Sequence, residues 1–281
     1  MARTRTRSRG DEWLTLQEAA RRLGVHYMTA YRYVRIGRLP AVSEEGRWWV
    51  RASDVEAHGR PGPESAPGRG RTASGRQRER LLRRLVAGDE AGAWAVLESA
   101  RAAGAGARDL YVRLLAPVLH RIGDQWASGA IDVGDEHVAT ATTERLLGRL
   151  SQELARRGRR RGTLVLGVVP GDRHGLPLAL LAGVARAEGY DVVELGADTP
   201  VESLVRAARA ADRLVAVGVS AATPGHEEEA AAAITALRAA VDVPVLVGGP
   251  AIDEAGARRL GADGWAPDAA AAMDLVGELT A

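Results

Sequence analysis

The chain has 281 residues, of which 46% are hydrophobic, enough for roughly two or three small domains with buried cores. It has 38 Lys and Arg residues, 36 Asp and Glu residues and no Cys, which excludes disulfides, thiolate metal sites and cysteine nucleophiles. No apolar run has membrane-spanning length and no apolar segment follows the basic amino end, so we expect a cytoplasmic protein with no secretory signal and no membrane partner.

Basic residues are concentrated near the amino end, although the net charge is only +2. Residues 1–10 contain four Arg and no acidic residue, and residues 60–86 are also rich in Arg. Such clustering is typical of a contact with nucleic acid.

Residues 11–60 have the pattern of a winged helix-turn-helix domain. Thr15 is predicted to cap a helix that runs through Gly24, and Glu18 at the third helical position completes a capping box. A tight turn then leads to a second helix, Tyr27–Ile36, with the spacing of a helix-turn-helix unit.

A hairpin and a last helix complete this segment. The predicted strands are Leu39–Val42 and Trp48–Arg51, and Ser53 is predicted to cap the helix that follows. The whole segment resembles the excisionase-like, MerR-related winged helix-turn-helix family, which implies that the second helix enters the major groove of a double-stranded DNA operator. An alternative is that Tyr31 and some of the arginines only cover the helix surface. The residues expected to contact base edges and phosphates are Thr29, Tyr31, Arg32 and Arg35, with Arg38 and Arg47 on the DNA backbone.

A linker and a helical segment follow. Residues 61–73 are rich in Pro, Gly, Ser and Arg, cannot bury apolar area, and are predicted to be a flexible linker. Residues 74–158 have helical periodicity, and their short loops predict a four-helix bundle. The predicted helices are Arg76–Ala87, Asp89–Ala103, Ala107–Ala127 and Val133–Arg157.

Residues 162–281 alternate apolar strands with Ala-rich helices, which predicts a doubly wound, Rossmann-like parallel sheet. The fold class is therefore multidomain, α and α/β. The predicted strands are Thr163–Val169, Asp191–Leu195, Leu214–Ser220, Val243–Val247 and a short one near Ala262. The predicted helices are Leu178–Glu188, Val201–Ala210, Glu227–Ala240 and Glu254–Leu260.

Asp172 and His174 stand two residues apart in the stretch VVPGDRHGLP, after the first of these strands. The carboxyl end of a strand is where open α/β sheets bind ligands. Asp172 can accept a hydrogen bond from one imidazole nitrogen of His174, which leaves the other nitrogen for a metal. By itself, such a pair is more often solvated or structural.

The later strands strengthen the ligand-binding interpretation. Together with Ser220 and the Gly248-Gly249 pair, the motif resembles the cobalamin-binding domain shared by methionine synthase, corrinoid methyltransferase proteins and CarH-type regulators. The resemblance implies that His174 is the lower axial cobalt ligand, with Asp172 as its partner. It also implies that Ser220 contacts the buried nucleotide tail of the cofactor, where Gly248 and Gly249 leave room, and it places Gly175 in the binding loop.

The chain departs from this family pattern at two places. Pro177 stands where the motif has Gly, and Ala221-Ala222 lack the motif's Leu. Both positions lie near the expected tail channel, so a pocket for another tetrapyrrole is a weaker alternative.

A second resemblance lies in the helical segment, where Glu136-His137 follow Trp126 after nine intervening residues. This spacing is similar to that of the helical cap of CarH-type proteins. It implies that Trp126 packs against the upper ligand of cobalamin and that Glu136 and His137 bound the same pocket. The alternative is that Trp126 is a core residue and Glu136-His137 a solvated first turn.

Ala127 is the departure with the largest consequence. The CarH-type photoreceptor has a His at this position, which takes the upper cobalt site after light breaks the cobalt–carbon bond. Alanine cannot ligate, and His120 lies about 10 Å away along the helix at 1.5 Å rise per residue. His137 is the nearer substitute, so the chain senses light with a different end state or senses the cofactor itself.

The order of the modules predicts a regulator and not an enzyme, since no catalytic barrel, nucleophile motif or phosphate-binding loop accompanies them. We expect a cobalamin-dependent transcription factor, specifically a light-responsive repressor that changes oligomeric state and DNA binding on illumination. Adenosylcobalamin is the expected cofactor and methylcobalamin the second choice, and the expected assembly is a homo-oligomer, a dimer or tetramer. The alternatives are a light-independent cobalamin sensor and a corrinoid carrier for a methyltransferase.

Overall fold

The computed structural model describes residues 12–23, 30, 33–34, 39–44, 47–58, 75–155 and 158–280. The chain divides into two compact units, one formed by Met1–Gly70 with His120–Glu136 and the other by Arg71–Leu119 with His137–Ala281. Among the described helices, none combines the length and apolar character needed to cross a membrane.

The amino-terminal segment contains a three-stranded antiparallel sheet with two described helices. The strand order is β1-β3-β2, and the buried side chains include Leu16, Leu39 and Val50. The elements are β1 Trp13–Thr15, α1 Leu16–Leu23, β2 Ala41–Glu44, β3 Arg47–Arg51 and α2 Ala52–His58. Ala30, Tyr33 and Val34, the described residues of the predicted second helix, are helical.

The predicted capping box is confirmed, because the Thr15 amide donates to Glu18 Oε2 at 2.8 Å and the Glu18 amide donates to Thr15 Oγ1 at 3.3 Å. The predicted cap at Ser53 is wrong. Helix α2 begins at Ala52, directly after the last residue of β3, so Ser53 lies inside the helix.

The next segment is helical, as its periodicity predicts. Its elements are α3 Gly75–Val86, α4 Glu90–Ala102, a π-helical stretch Asp109–Leu115, α5 Ala116–Ser128 and α6 Val133–Leu154. Asp89 caps α4 by accepting a hydrogen bond from the Gly92 amide. Ion pairs of 2.6 Å join α4 to α6, between Glu90 and Arg145 and between Arg101 and Glu153. The π-helical geometry at the start of the third predicted helix was not expected.

The carboxy-terminal segment is a five-stranded parallel sheet with strand order β5-β4-β6-β7-β8. The strands are β4 Thr163–Val168, β5 Asp191–Glu194, β6 Leu214–Ser220, β7 Val245–Gly248 and β8 Gly264–Ala266. The helices are α7 Leu176–Ala187, α8 Val201–Ala210, α9 Glu227–Arg238, α10 Glu254–Leu260 and α11 Ala269–Leu279. Helix α11 was not predicted from the sequence; Asp268 caps it, and it buries Met273 and Val276.

Helices cover both faces of this sheet, so the predicted doubly wound fold class is confirmed. Val165, Val217 and Val247 point to one face and belong to a buried cluster with side chains of α8, α9 and α10. Helices α7 and α11 lie against each other and contact β4 and β8, respectively. Because β4 is covered on both faces, its six residues are all buried, which explains its continuous apolar run.

Candidate functional site

The site is organised by the loop between β4 and α7, which leaves the sheet at the carboxyl end of a buried strand. Since β5 and β6 flank β4, the loops that follow these two strands lie on either side of this loop. The Val168 amide donates to the Gly196 carbonyl at 2.9 Å, and the Val169 amide donates to the Ser220 carbonyl at 3.0 Å. The loop that carries Asp172 and His174 is therefore anchored on both sides.

Asp172 is the buried centre of the site, and its side chain is fully enclosed. Its Oδ1 lies 2.8 Å from His174 Nδ1 and accepts the His174 amide at 3.1 Å. Its Oδ2 accepts the amides of Ala222 at 2.6 Å and Thr223 at 2.9 Å. Burial opposes ionisation of this carboxyl group, yet the hydrogen bonds from His174, Thr223 and Ala222 outweigh it and hold the pKa of Asp172 well below its usual range.

His174 is presented outward from this buried partner, with 65% of its side chain exposed. A carboxylate can only accept, so the short contact to Asp172 assigns the proton to Nδ1 and makes Nε2 the nitrogen that would bind a metal. Thr223 Oγ1 lies 2.9 Å from His174 Nδ1 and 3.2 Å from Asp172 Oδ1. This donor chemistry fits a metal that arrives in a macrocycle, because the ring supplies the equatorial nitrogens and the protein needs to add one imidazole.

The Asp172–His174 pair was predicted from the sequence, but the contributions of Ala222 and Thr223 were not. Ala222 contributes its backbone amide, which any residue except proline supplies, so no side-chain motif marks it. The departure from the family pattern at Ala222 therefore leaves this hydrogen bond in place.

The other departure, Pro177, has a local explanation. Helix α7 begins at Leu176, so Pro177 lies in the first turn, where a helix does not require the missing amide. Gly175 precedes the helix, and a Cβ added there would lie 3.6 Å from the Ala197 Cβ, an ordinary contact.

Ser220, Gly248 and Gly249 lie together at the carboxyl ends of β6 and β7. Ser220 is buried and pairs with Gly248 in the parallel register. A Cβ on Gly248 would lie 2.9 Å from the Ala266 carbonyl oxygen. Gly249 has φ +102°, and its Cβ would lie 2.3 Å from the Ala221 carbonyl oxygen. The chain's own backbone thus requires both glycines, independently of any ligand tail.

The predicted upper-site residues belong to α5 and α6. Trp126 is 46% exposed, which contradicts the alternative that it is a core residue. Glu136 is half-buried and His137 exposed in the first turn of α6, and the Glu136 amide donates to the Asp132 carbonyl at 3.2 Å.

The predicted DNA-contacting residues fall where the structure gives no description. Thr29, Tyr31, Arg32, Arg35 and Arg38 lie outside the described residues, and Arg47 lies in β3 but its side chain is outside them as well.

Comparison with known families assigns three regions of the chain. Residues 13–58 match a helix-turn-helix domain, and residues 77–151 and 162–274 each match a B12 binding domain. The chain therefore combines an amino-terminal helix-turn-helix region with a helical and a Rossmann-like B12 binding domain, and this supports the binding of a cobalamin.

Individual relatives match parts of the chain. A corrinoid protein of Desulfitobacterium hafniense is 29% identical over 164 residues, which cover 56% of this chain and 76% of that protein. The HTH-type transcriptional repressor CarH of Myxococcus xanthus is 34% identical over 140 residues, 49% of this chain and 46% of the repressor, so the chain spans about half of the repressor's length. The monomethylamine corrinoid protein of Methanosarcina barkeri shares the fold, with a TM-score of 0.61 at 23% identity, over 73% of this chain and 99% of that one.

Proposed function

We propose that this chain is a cobalamin-dependent transcriptional regulator, specifically a light-responsive repressor that uses adenosylcobalamin. The observation that carries the proposal is the order of the matched domains, a helix-turn-helix domain followed by two B12 binding domains in one chain. A regulator that both senses a cofactor and binds its operator needs a DNA reader on the same chain, whereas a carrier of the cofactor does not. The similarity to a transcriptional repressor over 140 residues supports the same interpretation.

In this proposal, His174 would hold the cobalt through Nε2, and Asp172 fixes the tautomer and orientation of the imidazole. Adenosylcobalamin, or methylcobalamin as the second choice, supplies light absorption and a photolabile cobalt–carbon bond. The residues proposed to bound the nucleotide tail are Gly175, Ser220, Gly248 and Gly249, and those proposed to bound the upper face are Trp126, Glu136 and His137.

The proposed DNA reader is a winged helix-turn-helix domain over residues 11–60, joined through a linker at 61–73 to a four-helix bundle at 74–158 and a cobalamin domain at 162–281. We place the protein in the cytoplasm with its operator. A homodimer or homotetramer would present several readers at once, and linked readers bind more tightly than one because the second contact is intramolecular. The residues proposed to contact DNA are Thr29, Tyr31, Arg32, Arg35, Arg38 and Arg47.

Two other functions have a specific observation in their favour. Ala127 favours a light-independent cobalamin sensor, because an alanine cannot take the upper cobalt site. The similarity to a corrinoid protein over 76% of that protein's length favours a carrier for a methyltransferase.

One experiment separates these functions. The full chain is loaded with adenosylcobalamin in the dark, and its absorption spectrum, elution volume and affinity for duplexes selected from a random DNA pool are measured before and after green light. We expect a bound corrin spectrum that illumination changes, together with a smaller assembly and weaker DNA binding. His174→Ala is the matched variant, and we expect its bound corrin to lose the spectral features of the protein imidazole.

Other results of this experiment would favour one of the alternative functions or overturn cobalamin binding. A spectral change that leaves the assembly and DNA affinity unaltered would overturn light control and favour a cofactor sensor. A chain that selects no DNA, and whose cob(I)alamin form accepts a methyl group from an added methyl donor in a separate assay, would indicate a carrier. A chain that retains no corrin would overturn the cobalamin proposal altogether.

A further inference from the structure

Asp198 is bonded to the ligand-carrying loop at two consecutive residues. It lies in the loop after β5, the strand beside β4. Its Oδ1 accepts the Gly171 amide at 2.7 Å, and its own amide donates to the Asp172 carbonyl at 2.9 Å. One residue thus satisfies a donor and an acceptor of the backbone on either side of the Gly171–Asp172 peptide.

The backbone conformation of Asp198 restricts which residues can do this. Asp198 has φ +48°, in the left-handed region that Gly, Asn and Asp adopt more readily than other residues. The next residue is fixed as well, since the Thr199 amide donates to the Val168 carbonyl at 3.0 Å and Thr199 Oγ1 donates to the Gly196 carbonyl at 3.0 Å. The side chain of Asp198 is exposed, but its backbone belongs to a well-bonded loop.

Asp172 is therefore held from two sides by different means. The amides of Ala222 and Thr223, from the β6 side, bind its carboxylate. Asp198, from the β5 side, binds the backbone at and before it. The position of His174 relative to the sheet depends on both, because the imidazole is bonded to Asp172 and follows it by two residues.

We propose that Asp198 is a positioning residue for the axial ligand: by fixing the Gly171–Asp172 backbone it sets how firmly His174 binds the cobalt of a corrin. This inference rests on the proposed cobalamin site. Substitution of residues that orient a metal ligand without binding the metal typically lowers metal affinity about 10–100-fold. The effect of substituting Asp198 should lie near the lower end of this range, because Asp198 acts through the backbone of the loop.

Three variants divide the role of Asp198 into its parts. Asp198→Asn keeps an oxygen acceptor and tolerance of positive φ, Asp198→Gly keeps only the conformation, and Asp198→Ala loses both. Glu202→Ala, at an exposed position in the first turn of α8, is the matched control. Hydrogen exchange of residues 168–175 in the unloaded chain reports the loop itself, and we expect faster exchange in the Gly and Ala variants only.

The decisive readout is the axial bond. Each variant is loaded with cob(II)alamin, and the nitrogen splitting in its electron paramagnetic resonance spectrum is compared between unlabelled and ¹⁵N-histidine protein. Splitting that changes with the label comes from a histidine and not from the nucleotide base of the cofactor, and its loss in His174→Ala assigns it to His174. As the pH is lowered, we expect half of the histidine-derived splitting to be lost at a higher pH in Asp198→Gly and Asp198→Ala than in the parent chain. We expect the cobalamin affinity of these two variants to fall about tenfold. Asp198→Asn should behave as the parent chain.

The outcomes separate this inference from the proposed function. A parent chain without histidine-derived splitting would overturn the proposed cobalt ligand. A parent chain with that splitting, and Gly and Ala variants whose pH midpoint and affinity equal those of Glu202→Ala, would overturn the role of Asp198. Loss of signal in Asp198→Asn as severe as in Asp198→Ala would do so too.

Discussion

The ring of Tyr111, in the π-helical stretch, lies directly against the backbone of Gly183 in α7. A Cβ added to Gly183 would lie 2.5 Å from the Tyr111 ring, closer than real contacts allow. Tyr111 is fully buried, so the ring cannot swing aside into solvent. One turn away, Arg108 donates to the Ala270 carbonyl and to Asp274, both at 2.7 Å. The start of the third predicted helix is therefore fixed on α7 by the close packing of Tyr111 and on α11 by the hydrogen bonds and ion pair of Arg108.

Gly183→Ala should destabilise the chain for this reason. Alanine favours a helix by about 0.5–1 kcal/mol over glycine, but overpacking a buried site costs about 1–3 kcal/mol, so the loss should win. Urea unfolding followed by far-ultraviolet circular dichroism measures the change. Gly148→Ala, in α6 with no atom within 4 Å of the added Cβ, should instead be neutral or stabilising. Equal urea midpoints for the two variants would contradict the close packing of Tyr111 against Gly183.

Tyr111 also predicts a loss of stability in alkali. Burial raises the pKa of Tyr111 to about 12, from a value of 10.0 for the free group. A pKa raised in the folded state gives stability that is complete below pH 10 and is lost as the pH rises toward about 12. We expect the unfolding free energy to fall across this window, and to fall less steeply in Tyr111→Phe. If the unfolding free energy fell equally steeply with pH in both chains, the pH dependence could not be assigned to Tyr111.

The lowered pKa of Asp172 predicts a loss of folding stability at low pH. Its pKa is lowered on folding, so its stabilisation is present above the unfolded value near 3.8 and is lost as the pH falls below it. Asp172→Asn should cost about 1–3 kcal/mol at pH 7, because an amide cannot accept all of these hydrogen bonds. The difference from the parent chain should shrink at pH 3. Asp212→Asn, at an exposed position, is the control, and a constant difference for Asp172→Asn at both pH values would refute the assignment.

Thr223 should affect the cofactor through its hydroxyl group. Thr223→Val keeps the amide that binds Asp172 but removes the oxygen at 2.9 Å from His174 Nδ1. We expect cobalamin affinity to fall about tenfold, and Thr223→Ser to restore it, in a spectrophotometric titration of the full chain. Equal affinities for the Val and Ser variants would show that only the amide matters.

The sequence alone determined most of the secondary structure of the α/β segment. Strand β6 and helices α8 and α10 have the predicted bounds, because buried apolar runs and flanking Gly or Pro residues are local signals. The fold class and the adjacent Asp172 and His174 were predictable for the same reason. Helix α11 could also have been predicted, since Asp268 before a run of alanines is a capping signal.

Only the tertiary structure decided what surrounds Asp172. Its amide partner Ala222 is 50 residues away in the chain, and Asp198 is 27 residues from Gly171. Both are brought to the loop by the order β5-β4-β6. Ala222 acts through its backbone amide, which carries no side-chain signature in the sequence, and the Asp198 carboxylate accepts from a backbone amide that no sequence pattern links to it. The packing of Tyr111 against Gly183 likewise depends on the contact between the π-helical stretch and α7, which are distant in the sequence. Local patterns specify elements and the groups that stand next to each other, whereas strand order determines which distant amides complete a site.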